Sequence, residues 1–296
     1  MGTDTSRQSL YETSCSMRIL ITGTNGFIGR SLKEFYESDH EIIATQRGDH
    51  IPTILEKYKP KVIINCAAEI YNADVMFDSN ISMVNLFLEW LRNNPSTKMI
   101  QIGSSAEYGP MPRATSEQDR INPVDAYQAT KGAGTLMCQG YARQFDLDIQ
   151  IARVYSAYGV YEKPHRLFPK LYNAFVNKEP MTLYNGYHDF IYITDFVRGI
   201  DILVNSDRSQ GDIINFGSGR QYSNSEVLNL WKDITNEVAP VDYQEKLAKA
   251  YESNVWICDT TYAKEKYGFE VEYSLEQGIK DFIRIKNGHS NNNSKR

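Results

Sequence analysis

The sequence predicts an α/β protein in which a doubly wound parallel sheet carries a smaller mixed α/β lobe. Three observations predict it. Short β-branched runs alternate with amphipathic stretches through residue 156. A glycine cluster, TGTNGFIG, follows the first run and opens the first amphipathic stretch. Beyond residue 156 Tyr, Pro and Gly become frequent and the apolar runs shorten.

At the start of the chain, MGTDTSRQSLYETSCS (1–16) is polar, lacks the apolar core of a signal peptide, and reads as a mobile tail. MRILIT (17–22) is an apolar, β-branched run that suits a buried strand. EIIAT (41–45), VIINCAA (62–68), MIQIGSS (99–105) and IQIARVY (149–155) are four more. Helical patterns lie between them near 27–37, 53–58, 80–92 and 126–145. This alternation makes 17–156 a dinucleotide-binding domain of the Rossmann type. Residues 157–286 form the smaller lobe, which is expected to hold the substrate. Its strands are YHDFIYI (187–193) and DIINFGSG (212–219), and some are expected to return to the main sheet. Its helices fall near 168–177, 194–204, 223–235 and 274–286. Residues 287–296 are low-complexity and read as a second tail.

Composition removes several classes of function. The chain has 296 residues, 41% of them hydrophobic, enough for a sizeable core. Net charge is −5 and no basic block is long, which argues against nucleic acid as a partner. No apolar run approaches the ~18 residues of a membrane span, so no membrane partner is expected. Cys15, Cys66, Cys138 and Cys258 are scattered, without ligand spacing. No metal site is expected, and a reducing, cytoplasmic setting fits best.

The glycine cluster sets Gly23, Gly26 and Gly29 in the spacing GxxGxxG. Glycine permits a tight turn and lets a pyrophosphate approach main-chain N–H groups at a helix N-terminus. The end of the second strand selects the dinucleotide. An acid there binds the ribose 2′-hydroxyl, whereas a base accommodates a 2′-phosphate. The acidic position falls near Gln46, and Arg47 comes next. This favours NADP with Arg47 on the phosphate. Asp49, two residues late, is the route by which NAD remains possible.

DAYQATKGAG (125–134) places Tyr127 four residues before Lys131, on one helical face. A free tyrosine has a pKa near ~10, and a neighbouring ammonium lowers it. Such a phenol can pass a proton to a carbonyl oxygen or take one from a hydroxyl. GSSAEYG (103–109) supplies Ser104 and Ser105 beyond a strand end, where a hydroxyl can hold the substrate oxygen.

TGTNGFIG, NCAA, GSSAEYG, YQATK, HDFIYITD and NFGSG together resemble the extended short-chain dehydrogenase/reductase family, in the branch acting on nucleotide-linked sugars. The resemblance runs from Met17 to Ile285. It implies that Tyr127 is the acid/base, Lys131 its partner and Ser104 the serine beside it. It adds Asn25, Phe27, Ile28 and Ala67 to the cofactor contacts. Ser156, Phe168 and His188 are the substrate-side candidates, with Tyr155, Tyr158 and His165 as further lining residues. It also implies a homodimer through a four-helix bundle built from the helices near 80–92 and 126–145.

Several positions depart from that family's pattern. Dehydrating members carry an acid just after the catalytic Ser/Thr, where this chain has Ser105 and Ala106, with Glu107 one place late. Dehydration and decarboxylation are therefore disfavoured. His188 stands where many members have an arginine, and Ser156 where an asparagine is usual. The segment RGDHIPTILEKYKPK is short, as in reductases of 4-keto sugars. The sequence thus favours NADPH-linked reduction of a 4-keto nucleotide sugar. A C4 epimerase that retains NAD is the alternative, and a silent dinucleotide-sensing protein the third reading.

Overall fold

The computed structural model describes residues 16–247 and 254–293. Apart from Ser16, the expected N-terminal tail lies outside the described residues. The first half runs β1 (Arg18–Ile21), α1 (Phe27–Tyr36), β2 (Glu41–Ala44), α2 (Ile51–Tyr58), β3 (Val62–Asn65), α3 (Met83–Asn93), β4 (Lys98–Ser104), α4 (Ala126–Phe145) and β5 (Ile149–Val154). The second half runs β6 (Ser156–Tyr158), α5 (Leu167–Val176), β7 (Met181–Asn185), β8 (Tyr187–Tyr192), α6 (Ile193–Asn205), β9 (Gln210–Phe216), β10 (Gln221–Ser223), α7 (Asn224–Thr235), β11 (Val241–Leu247), α8 (Thr261–Tyr267) and α9 (Leu275–Asn293).

Six strands form one parallel sheet in the order β2-β1-β3-β4-β5-β9. Their near-continuous apolar runs follow from burial on both faces. Side chains alternate across the sheet. Ile19, Ile21, Ile64, Ile100 and Ile102 enter one core with α6 and the second lobe. Leu20, Ile63, Met99, Ile149 and Ile151 enter the other with α3 and α4. The chain leaves β1 for β2 on one side and returns to β3 on the other. The crevice at the carboxyl ends of β1 and β3 is therefore the switch point where such sheets hold ligands.

β9 lies at the edge of this main sheet, although it comes late in the chain. The rest of the second half builds a three-stranded sheet, β10-β8-β6, and a parallel pair, β11-β7. Among the described residues no helix is long and apolar enough to cross a membrane. The tail expected from residue 287 is instead helical as far as Asn293. Tyr172 Oη donates to Asn287 Oδ1 at 2.6 Å, which ties the polar end of α9 to α5.

Candidate active site

The glycine turn is built by backbone alone. Gly23 has φ +65°, and a Cβ there would lie 3.2 Å from the Ala67 backbone. A Cβ on Gly29 would come within 2.4 Å of the Gly23 carbonyl oxygen. The Gly26 N–H donates to that same oxygen at 2.8 Å and closes the turn. Gly26 caps α1 without a side-chain bond, so the first N–H groups of the helix are left to a ligand. A cradle that any side chain would fill, at an uncapped helix start, fits a dinucleotide pyrophosphate.

Gly23, Gly26, Phe27, Ile28 and Gly29 line one end of a cavity of about 540 Å³. Ser104, Ser105, Tyr127, Lys131, Ser156 and His188 line the same cavity. Tyr155 lines it as well, and the remaining expected residues stand elsewhere. Asn25 donates its amide to Gln46 Oε1 at 3.0 Å. Ala67 donates its N–H to Thr22 Oγ1 at 2.9 Å, behind the wall formed by Cys66 and Ala68. Phe168 is 1% exposed and stacks on Tyr158 with ring centroids 4.0 Å apart. It lines an adjoining cavity rather than this one. Arg47 points to a carboxylate, not to the cavity: its Nη2 donates to Glu69 Oε2 at 3.0 Å. Backbone N–H donors, Tyr71 first, and then Arg47 hold Glu69 down at about 2. Asp49 folds the loop back by accepting the Gln46 N–H at 2.8 Å.

The catalytic candidates come from two element ends. Ser104 closes β4 and caps a short 3-10 turn. Its N–H donates to Glu107 Oε1 at 2.8 Å and its Oγ accepts the Ala106 N–H at 3.2 Å. Asp125 caps α4 by accepting the Gln128 N–H at 2.9 Å, which fixes Tyr127 in the first turn. Burial raises the Tyr127 phenol above its ordinary value, while a hydrogen bond with Ser104 and the charge of Arg166 oppose the rise. Lys131 is buried and donates to the Ile102 carbonyl at 2.5 Å. Burial lowers its own pKa. The expected lowering of the phenol by the Lys131 ammonium does not appear in the geometry: Lys131 Nζ is taken up by the Ile102 carbonyl, and burial shifts the phenol upward.

Glu107 explains the shape of the serine loop. It is fully buried and accepts from Arg153 Nε at 2.8 Å and from Thr135 Oγ1 at 2.8 Å. It therefore supports Ser104 from below and does not reach the cavity, whose wall at 105 and 106 is Ser and Ala. Two other carboxylates do line the cavity. Asp125 is the helix cap, and Glu162 sits at the far end beside Arg166. Near that end the Ser156 hydroxyl lies 3.4 Å from His188 Nδ1. Burial first, and then Arg166, push His188 down to about 4, so it is neutral at pH 7.

Sequence reasoning missed Tyr71, Glu162 and Arg166. Tyr71 Oη and His165 Nε2 lie 2.8 Å apart, linking the loop after β3 to the segment before α5. No periodic pattern marks these loop residues. The one available signal was the dense run of polar and aromatic side chains in YGVYEKPHR.

The sequence model of the NAD dependent epimerase/dehydratase family matches residues 19–217. The chain belongs to that family. The extended short-chain dehydrogenase/reductase resemblance, in its nucleotide-sugar branch, thus holds. Relatives include proteins named as epimerases and as dehydratases. An uncharacterized UDP-glucose epimerase of Bacillus subtilis is 26% identical over 310 residues, spanning 90% of this chain and 97% of its own. The fold matches the UDP-glucose 4-epimerase of Thermotoga maritima, solved with UDP-glucose, at TM-score 0.83 and 20% identity over 92% of this chain and 99% of that one. It also matches the dTDP-glucose 4,6-dehydratase of Bacillus anthracis, solved with NAD, at TM-score 0.82 and 21% identity over 91% and 96%.

Proposed function

We propose that the chain is a nucleotide-sugar C4 epimerase that keeps NAD bound. One observation carries this reading. The Tyr127 phenol and the Ser104 hydroxyl share a cavity with the glycine cradle, and the wall positions that would hold an elimination acid are Ser105 and Ala106. When bound, the nicotinamide supplies the hydride acceptor and donor. Gly23, Gly26, Phe27, Ile28 and Gly29 would hold the dinucleotide. Tyr127 gives its proton to a C4 carbonyl oxygen in one direction and takes it from a C4 hydroxyl in the other. Ser104 hydrogen-bonds that oxygen. Without an acid beside Ser104, loss of water from the sugar has no proton donor there.

The preference for NADP read from Arg47 gives way to NAD, because the guanidinium is engaged by Glu69. Free thiols at Cys66, Cys138 and Cys258 suit a reducing, cytoplasmic compartment. A homodimer through α3 and α4 is supported by Leu136, an apolar side chain 55% exposed on α4.

A second reading, reduction of a 4-keto nucleotide sugar, keeps two supports. Burial shifts the Tyr127 phenol upward, the direction that suits a proton donor. The β2–β3 connection contains only α2. The experiment is direct. Purified protein is denatured to identify any released dinucleotide, and native protein is mixed with UDP-glucose and followed by NMR. Appearance of the C4 epimer without added cofactor supports the first reading. Stoichiometric NADPH consumption with a 4-keto nucleotide sugar supports the second. Neither reaction, with no dinucleotide bound, overturns both.

A further inference from the structure

One aromatic side chain belongs to two cavities. The Tyr127 cavity adjoins a second one of about 430 Å³, and several residues line both. Among the described residues that do so, only Tyr71 comes from the first half of the chain. It arrives from the loop after β3, whereas Ser156 and His188 belong to the second lobe. Its ring is 56% exposed, so it stands over the junction rather than packing into a core.

The two sides of Tyr71 are held very differently. Its backbone is anchored. Glu69 Oε1 accepts the N–H groups of Ile70, Tyr71 and Asn72 at 3.0, 3.0 and 3.2 Å. Asn80 then pins Glu69, accepting its N–H at 2.8 Å and donating to its carbonyl at 3.0 Å. The side chain, by contrast, crosses to the segment before α5. Its Oη lies 2.8 Å from His165 Nε2, and the two rings meet edge to face with centroids 5.2 Å apart. Lys163 Nζ lies 5.5 Å from the centre of the same ring. His165 lines the second cavity and Lys163 the first, so the contact closes over the place where the two adjoin.

We propose that Tyr71 is a strap, fastened to His165, that closes over a nucleotide sugar lying across both cavities and swings away for entry and release. The proposal rests on the nucleotide-sugar reading. Because the loop backbone is anchored, opening needs only rotation of the Tyr71 side chain, a fast motion for an exposed residue. One hydrogen bond and one ring pair between exposed groups suit such a device. Together they are weak enough to break at each binding event and strong enough to slow it about tenfold. The strap acts on passage, not on affinity, because the same contact must open in both directions.

Stopped-flow tryptophan fluorescence on the full chain tests this, with UDP as the probe, since Trp256 lines the Tyr127 cavity. Tyr71→Ala and His165→Ala should each raise the association and dissociation rate constants together by about tenfold, leaving Kd within about threefold. Tyr71→Phe keeps the ring without the hydroxyl and should fall between; it also carries the test if the alanine variant fails to fold. The double alanine variant should match the single ones, because either change alone unfastens the strap. Rates unchanged in all variants overturn the proposal. A rise in dissociation alone, with affinity lost in proportion, also overturns it, since Tyr71 would then be an ordinary ligand contact. So does a double variant whose rates are the product of the two single effects. A wild type that does not bind UDP overturns the nucleotide-sugar reading and the strap with it, whereas the three kinetic results overturn the strap alone.

Discussion

Glu107→Gln should destabilise the protein far more than a change of one atom suggests. Glu107 and Arg153 are 0% and 2% exposed at their side chains and meet at 2.8 Å. Gln can still accept the Ser104 N–H, so the serine turn keeps its shape. What it cannot supply is the charge opposite the guanidinium. Arg153 already has one unpartnered nitrogen, Nη1. The Tyr108 ring, 4.5 Å from the guanidinium carbon, is present with either residue at 107 and does not offset the loss. Breaking one side of a buried pair costs about 3–5 kcal/mol, a large part of the 5–15 kcal/mol typical of a folded protein. Urea unfolding measures it as a lowered midpoint with unchanged slope. A loss below about 1 kcal/mol would show that the buried charge pair contributes little to stability.

Three further outcomes are expected. Gly29→Ala places a methyl 2.4 Å from the Gly23 carbonyl oxygen, so bound dinucleotide should be lost; retention of the wild-type complement on denaturation contradicts the cradle. His188→Gln should change the pH dependence of stability. The folded His188 pKa is about 4 against 6.5 for an ordinary imidazole, so as pH falls through that window the unfolded chain gains a proton the folded chain refuses. The wild type should therefore lose stability relative to the variant on acidification across it; a constant difference would mean the imidazole is not held neutral. Arg47→Ala should leave NAD affinity within about threefold, because the guanidinium is spent on Glu69 rather than on the cavity. A large loss of NADP binding alone would restore the 2′-phosphate role.

The parallel sheet was legible because its strands are buried on both faces and carry few polar interruptions, as in VIIN and IQIARV. The glycine turn was legible because backbone sterics dictate Gly23 and Gly29. Helical spacing brought Tyr127 and Lys131 to one cavity, but it could not show that Lys131 would reach back to the Ile102 carbonyl. That contact depends on β4 lying beneath α4, a tertiary fact. The Arg47–Glu69 contact was not legible for the same reason, since Glu69 is distant in sequence and adjacent in space. β6 and β10 have three residues each, too few for a period to register. Among the described residues β7 and β11 pair only with each other, and their polar, alternating sequences gave no buried run. The polar end of α9 lacked a helical pattern and is anchored partly by Tyr172.

On the proposed reading, turnover at this site depends on Tyr127 as the group that exchanges a proton with the sugar oxygen. The decisive measurement is conversion of UDP-glucose by Tyr127→Phe, alongside the dinucleotide that this variant retains. Loss of the C4-epimer signal by about 10²-fold or more, with dinucleotide content unchanged, is the expected result. Turnover within about threefold of wild type would contradict it, because no acid/base role for the phenol survives such a rate.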